Sequence, residues 1–379
     1  MSKYSKIYFI GVGGIGMSAI ARYYKFKGYP VAGYDRTPSD LTHALEKEGI
    51  DVHYNDDPDY IPKDVASTLV VYTPAIPTDL KELVYVKEHG YTLVKRSRML
   101  GELAEGQTCL AVAGTHGKTT TSTLVAHILT ESGKGCSAFL GGISKNYGTN
   151  LLTSHTPTIV AEADEFDRSF LQLHPAIAAI TAMDADHLDI YGTLEEYQKA
   201  FKAFASQVSR TLIVKLGLDI TPEDTNARIL HYSYDNPDAD YYAANAKPDE
   251  VGHYIFDLVY PEGVISGIRV GIPGWVNAEN SVAAAAVCLN HGVPPEAIKE
   301  AIGTYSGVKR RLDVHLNTPH LSYIDDYAHH PKELASAISS MRGIFPGRKL
   351  TAIFQPHLFT RTRDFADDFA AALSKVDKL

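Results

Sequence analysis

The chain has 379 residues, with 45% hydrophobic and 21% charged residues, which excludes disordered and fibrous classes and exceeds what one hydrophobic core organises, so two or three domains are expected. Its formal charge of −9 speaks against a nucleic-acid partner, because a phosphate backbone selects a basic face. Cys109, Cys136 and Cys288 are odd in number and far apart, which excludes a disulfide framework or a cysteine zinc site and suits a reducing compartment. No apolar run approaches the ~18 residues of a membrane span, and the N-terminus leads into a short strand in place of a signal segment. A cytoplasmic protein without a membrane partner is expected.

The first unit, 1–106, opens with a strand from Lys6 that runs into Gly11-Val-Gly-Gly-Ile-Gly16. Gly11, Gly13, Gly14 and Gly16 permit a tight turn, close approach to a diphosphate and helix-on-strand packing. A small-residue helix follows through Met17, Ala19, Ile20 and Ala21. The next strand, Pro30–Asp35, ends in an acid 19 residues past Gly16, where a dinucleotide site holds a ribose. Leu69–Pro74 and Tyr91–Val94 complete four strands separated by helical stretches, a Rossmann-like α/β unit.

The second unit, 107–308, begins with an apolar strand that enters Gly114-Thr-His-Gly-Lys-Thr-Thr120 and a long helical pattern. At such a turn the unpaired N–H groups and the positive end of the helix dipole face an anion. Lys118 then reaches outer phosphates, and the Thr119 hydroxyl suits Mg²⁺. The spacing departs from the usual P-loop: the first glycine would fall at Val112, and the chain has Gly114. Strands Thr158–Asp164 and Ala176–Asp184 both end in acids. In a parallel sheet the strand carboxyl ends share one edge, so Glu162, Asp164, Asp184 and His187 are expected around the same nucleotide. Residues 219–271 read as antiparallel additions, and an Ala-rich helix starts from Pro273.

The third unit, 309–379, reads as βαβα: a strand Leu321–Asp326, a helix Pro331–Met341, a strand Lys349–His357 and a helix Thr362–Ser374. That is half of a doubly wound domain, and Val376–Leu379 is where a further strand would begin. A partial, truncated Rossmann-like C-terminal domain is therefore expected. There is no internal repeat and no low-complexity segment.

The order Gly11–Gly16, Gly114–Thr121, Glu162-Ala-Asp-Glu165, Asp186-His-Leu-Asp189, Asn277-Ala-Glu-Asn280, Arg310-Arg311, Asp325–Pro331 and Gln355–Arg363 closely resembles the Mur ligases along the whole chain. The resemblance implies a three-domain α/β enzyme of peptidoglycan precursor synthesis. Such an enzyme activates a carboxylate with ATP as an acyl phosphate, which an amino-acid amine then attacks. It further implies UDP-N-acetylmuramate and L-alanine as substrates, ATP and Mg²⁺ as cofactors, and a monomer or weak homodimer.

The same resemblance implies residue roles. Gly114, Thr115, Gly117, Thr119 and Thr120 cradle phosphates while Lys118 bridges the β and γ positions; His116 either faces the phosphates or caps the turn. Thr119 and Glu162 hold Mg²⁺, and His187 either reaches a second ion or is a hydrogen-bonded structural histidine. Asn277 and Asn280 share a helix face suited to an adenine edge, although Val276 stands where the family often has His. Arg310, with Arg311 beside it, swings onto the γ-phosphate when domains close. Asp325 contacts the ATP ribose. Tyr327, His329, His330 and His357 border the amino-acid pocket, and Arg361 or Arg363 pairs with the alanine carboxylate; Leu358 occupies a frequent Arg position. The proton acceptor stays open among His187, His329 and His330. In the first unit the glycine turn takes the UDP diphosphate, flanked by Asp35, Thr73 and Arg98.

Three other readings compete: a ligase that recycles a murein tripeptide onto UDP-N-acetylmuramate, an NAD-dependent oxidoreductase using the first glycine turn, and a non-catalytic sugar-nucleotide binder. Gln355–His357 and Thr360–Arg363 favour the alanine-adding reaction over the first. Acidic strand ends beside the second loop speak against the oxidoreductase.

Overall fold

The computed structural model describes residues 3–356 and 359–379, the side chain of Asp189 excepted. Five parallel strands form the N-terminal sheet: β1 (Lys6–Ile10), β2 (Val31–Tyr34), β3 (Asp51–His53), β4 (Thr68–Tyr72) and β5 (Thr92–Lys95), in the order β3-β2-β1-β4-β5. β1 and β4 are apolar runs buried on both faces, as a parallel sheet covered by helices requires. β3 escapes the sequence because it is three residues long and carries Asp51 and His53 at a sheet edge.

The central sheet has ten strands: β6 (Thr108–Ala113), β7 (Ser137–Phe139), β8 (Leu151–Leu152), β9 (Thr158–Ala163), β10 (Ile177–Ile180), β11 (Thr211–Lys215), β12 (Arg228–Ser233), β13 (Tyr241–Pro248), β14 (Tyr254–Tyr260) and β15 (Gly263–Arg269). Residues 219–271 differ from the expected antiparallel addition. β12 pairs parallel with β11 and β13 parallel with β12, and only β14 and β15 turn antiparallel. The helices Lys118–Glu131 and Trp275–Asn290 bury all-round apolar or small surfaces against one face.

The other face packs against the N-terminal unit, and the core does not break at residue 106. One cluster joins Ile7, Phe9 and Met99 to Ala111, Phe139 and Phe170. A buried polar bolt reinforces it. Arg22 forms a bidentate pair with Glu48 at 2.7 Å, and the fully buried Asn150 donates to Ile15 O and to Ser18 Oγ at 2.9 Å. The two units are thus docked through a shared interior.

The C-terminal unit differs from the expected βαβα. β16 (Asp313–Asn317) and β17 (Ser322–Asp325) form an antiparallel hairpin, which closes locally at little entropic cost. The helix Pro331–Ile344 follows. The expected strand from Lys349 makes a single parallel bridge, Thr351 to Lys378, and Ile353 is 98% exposed, so no ladder forms around it. The final helix is divided into Phe359–Asp364 and Ala366–Leu373. His357 lies outside the described residues. Among the described residues no helix is long and apolar enough to cross a membrane.

Gly101, in the helix Arg96–Ala104, marks a close approach of the first two units: a Cβ there would stand 2.4 Å from the backbone oxygen of Gln172. Helix propensity favours Ala by ~1 kcal/mol, but a backbone clash cannot be relieved by a side-chain rotation and overpacking costs about 1–3 kcal/mol. Gly101→Ala is expected to lower the thermal unfolding midpoint; a midpoint at or above wild type would show that the interface yields.

Candidate active site

β6 delivers its last residue, Ala113, to the phosphate loop, and Gly117 caps the following helix at φ +81°, a left-handed conformation that favours glycine. Lys118 folds back over the loop: its Nζ donates to Gly114 O at 2.6 Å and pairs with Glu165 at 2.9 Å. Tyr197 Oη donates to the same carboxylate at 3.4 Å. Burial alone would lower the Lys118 pKa, but Glu165, Glu162 and Asp164 raise it, so the ammonium stays charged.

Glu162 stands near the end of β9, opposite Val112 of β6. Burial, partly offset by Lys118 and a hydrogen bond from Thr119, pushes its pKa up. Its Oε2 has no hydrogen-bond partner among the described residues. Gly141 faces it so closely that a Cβ would lie 2.2 Å from that oxygen. A cavity of about 220 Å³ opens here, lined by Lys118, Thr119, Glu162 and His187 from the central domain and by Arg311, Tyr327 and His329 from the C-terminal side. A buried carboxylate with an unmet lone pair, a neighbouring hydroxyl and a nearby ammonium suit a divalent cation with polyphosphate. Thr115, Gly117 and Thr120 also line this cavity.

His116 does neither of the two things expected of it. It points to the C-terminal unit, with Nε2 at 3.2 Å from Asp184 and Nδ1 at 3.4 Å from Glu333. Lys332 completes the pair on Asp184. Burial works against the imidazolium, but the two carboxylates raise its pKa. His116 and Lys332 hold Asp184 well below the usual carboxylate range. Glu333 is likewise held low despite burial, by His116, His329 and Arg311.

His330 is committed to the same junction and is corrected from a candidate acid–base group to a structural one. Its Nε2 donates to Ala185 O at 3.2 Å and its Nδ1 accepts the Lys332 N–H at 3.3 Å, which fixes a neutral tautomer. Burial and the nearby His116 lower its pKa accordingly. His187 lines the cavity, 3.6 Å from Asp186, at a backbone φ of 52°.

Other expectations also change. Arg361 is buried and gives Asp186 a bidentate pair at 2.8 and 3.0 Å, so it ties two domains together and is not available to an alanine carboxylate. Arg363 pairs with its neighbour Asp364 on the surface. Arg310 faces outward to Asp325 at 3.5 Å and stacks on Tyr327, while Arg311 is the arginine that lines the cavity; the left-handed φ of 62° at Arg310 separates their directions. Asp325 is thereby committed to Arg310 and is not a lining residue. Asn277 and Asn280 do share a face, 3.5 Å apart, but are buried, with Asn277 donating to Pro273 O and Asn280 accepting from Thr121. They brace the loop helix and offer no edge to adenine.

In the first domain the Gly13 N–H donates to Asp35 at 2.7 Å, so this acid builds the glycine turn itself. The Gly14 N–H closes the turn on Gly11 O at 3.2 Å, and Thr73 packs its methyl beside Gly11. Arg98 pairs with Glu102 on the surface. Arg96 instead lies against Gly16 and reaches Asp164 at 3.1 Å. Arg96, Gly141, Glu165 and Glu333 were missed; the Glu162-Ala-Asp-Glu165 run and the Gly141-Gly142 doublet held a signal for two of them.

A phosphate-loop domain on a mixed, mostly parallel sheet, flanked by a Rossmann-like domain and a C-terminal α/β unit that lines the cavity, defines a three-domain nucleotide-dependent enzyme. The chain belongs to the Mur ligase family: the family's catalytic domain matches residues 6–108, its middle domain 112–288 and its glutamate ligase domain 310–379. It is 50% identical over 386 aligned residues to a UDP-N-acetylmuramate–L-alanine ligase of Parabacteroides distasonis, covering 100% of this chain and 83% of that protein. A ligase of the same description from Porphyromonas gingivalis is 49% identical, covering 99% of this chain and 83% of its own length. The crystal structure of a UDP-N-acetylmuramate-alanine ligase from Thermotoga maritima superposes with a TM-score of 0.85 at 28% identity, covering 98% of this chain and 84% of that one.

The junction chemistry sets a pH dependence. His116, with a raised folded pKa, contributes stability that is present below the ordinary value of about 6.5 and is lost as pH rises through the raised one. Asp184 and Glu333, with lowered values, contribute above the ordinary carboxylate value of about 4 and lose it as pH falls. Thermal midpoints measured across this range should fall on both sides, and His116→Gln should abolish the alkaline decline. Asp186→Ala, which strands a buried guanidinium, should cost about 3–5 kcal/mol in urea unfolding.

Proposed function

We propose that this protein joins L-alanine to UDP-N-acetylmuramate with hydrolysis of ATP to ADP and phosphate, in the cytoplasmic synthesis of peptidoglycan precursor. The observation that carries the reading is the buried, unpartnered Glu162 oxygen beside Thr119 and Lys118, in a cavity that the C-terminal unit reaches with Arg311, Tyr327 and His329. The sequence likeness to the alanine-adding relatives supports the choice of substrates.

A carboxylate is a poor electrophile, and phosphoryl transfer to it brings like charges together, so cations and fixed dipoles must supply most of the stabilisation. The loop N–H groups and Lys118 hold the outer phosphates, with Lys118 exchanging Glu165 for phosphate oxygens. Thr119 and Glu162 would hold Mg²⁺, which would supply charge neutralisation for the phosphates; His187 lines the same cavity. Among the described residues no three His, Cys, Asp or Glu side chains form a metal cluster, so the ion would need oxygen ligands from outside the chain. Arg311 meets the charge that develops on the transferred group.

Arg311 also lines a second cavity of about 430 Å³, walled by Ile272, Pro273, Leu312, Ile344 and Phe345. Its apolar walls suit the purine, and it replaces the Asn277–Asn280 face as the base site. In the first domain the glycine turn takes the UDP diphosphate, with Arg96 as the cation at Gly16. The acyl phosphate is then attacked by the alanine amine. His329 is the proton acceptor in this reading: burial, with Arg361 and Arg311 beside it, outweighs Glu333 and lowers its pKa, leaving a neutral imidazole at the cavity wall.

Mg²⁺-dependent phosphate release from ATP tests this with UDP-N-acetylmuramate and L-alanine, glycine, L-serine, murein tripeptide or no amino acid. Release that requires both the sugar nucleotide and L-alanine is expected. Release with tripeptide alone would favour the recycling reaction, and no release would overturn the reading. Lys118→Ala should lower turnover on the order of 10²–10³-fold while calorimetric affinity for UDP-N-acetylmuramate is retained. A parallel loss of that affinity would contradict separate sites.

A further inference from the structure

One carboxylate touches both the phosphate loop and the wall of the amino-acid pocket. Glu333 lies in the first turn of the helix Pro331–Ile344. Its Oε1 stands 3.4 Å from His116 Nδ1, in the loop between Gly114 and Gly117. Its Oε2 accepts the His329 backbone N–H at 3.0 Å and lies 3.4 Å from the same residue's Nδ1. Glu333 lines the cavity beside Arg311, yet the chemistry above does not use it. We propose that Glu333 is a positioning residue that couples the nucleotide loop to the amino-acid pocket, orienting His329 through the docking of His116. The inference rests on the ligase reading for its kinetic consequence and on geometry alone for the coupling.

An acid three residues into a helix ordinarily reaches back to satisfy an N-terminal N–H, and Oε2 does such a job at His329. Capping leaves Oε1 unexplained. That oxygen faces a histidine from another domain, whose second nitrogen is met by Asp184 at 3.2 Å. His116 is therefore set between one carboxylate of its own domain and one of the C-terminal unit. Withdrawal of that unit would separate Glu333 from His116 and release the restraint on His329 in the same motion. Ligation benefits, because an acyl phosphate formed before the amine pocket is assembled is open to water.

Glu333→Gln separates the two jobs. The amide oxygen still accepts the His329 N–H, while the charge facing His116 is gone. Two measurements follow. Histidine ring NMR, which needs no turnover, should show the His329 signals displaced by His116→Gln in the wild-type background and unmoved by it in the Glu333→Gln background. In steady-state assays at saturating ATP, Glu333→Gln should raise the L-alanine KM about tenfold, with calorimetric affinity for UDP-N-acetylmuramate retained; Glu333→Asp, charged but shorter, should recover part of the loss. His329 signals indifferent to His116→Gln would overturn the coupling, as would a Gln variant with a lower melting temperature and an unchanged L-alanine KM. Absence of wild-type turnover with L-alanine would sink the ligase reading instead, leaving the NMR result to decide the coupling.

Discussion

Lys118 is buried among Glu165, Glu162 and Asp164, and the remainder of the site is arranged around keeping that ammonium charged at the head of the loop helix. At 2.9 Å its attraction to Glu165 is worth roughly 5–6 kcal/mol at an effective dielectric of 20. Taking the two ions out of water costs several kcal/mol each, so the pair adds little net stability. Its value is preorganisation. In the proposed reaction an arriving polyphosphate would meet a lysine already charged and desolvated, and would replace Glu165 on it. Beside the loop, the buried Oε2 of Glu162 has no hydrogen-bond partner among the described residues.

The three units are joined in two physically different ways. The first and second share apolar core, with Gly101 against Gln172 and the Arg22–Glu48–Asn150 network across the seam. Among the described residues, none of the C-terminal unit belongs to the three main apolar clusters, and beside small apolar contacts such as Ile344 at Gly252 it is held by polar ones: His116 with Glu333, Lys332 with Asp184, and Arg361 with Asp186. Apolar burial is indifferent to small changes in charge, whereas a junction of ion pairs responds to ligand charge and pH.

The linker carries the same logic. Arg310 and Leu312 both adopt left-handed conformations, at φ 62° and 45°, costly for residues with a Cβ. Two carboxylates hold them there: Asp313 accepts the Arg310 N–H at 3.1 Å and Asp326 the Leu312 N–H at 2.7 Å. The turn so formed sends Arg310 outward to Asp325 and leaves Arg311 at the wall of both cavities.

Local patterns fixed much of this molecule before any fold was considered. The alternation of apolar strands with glycine turns specified the parallel strands of two sheets, because such runs can be buried only between helix layers. The Gly-Lys-Thr turn raised the expectation of a phosphate site, because its N–H groups and helix dipole are properties of a few consecutive residues. The placement of Glu162 beside Lys118 and Thr119 was also legible, since strand ends gather at one edge. The partners of the longer charged side chains were not legible. Arg361 reads as a ligand arginine until the fold sets Asp186 against it, and Arg310 and Arg311 are indistinguishable until a left-handed turn separates them. Asn277 and Asn280 share a face, as helical spacing requires, but only packing against Thr121 turned that face inward. His116 and Glu333, 217 residues apart, have no local signal that joins them. Spacing along a chain decides which groups share an element, while contact across domains decides which charge neutralises which, and that depends on every element between them.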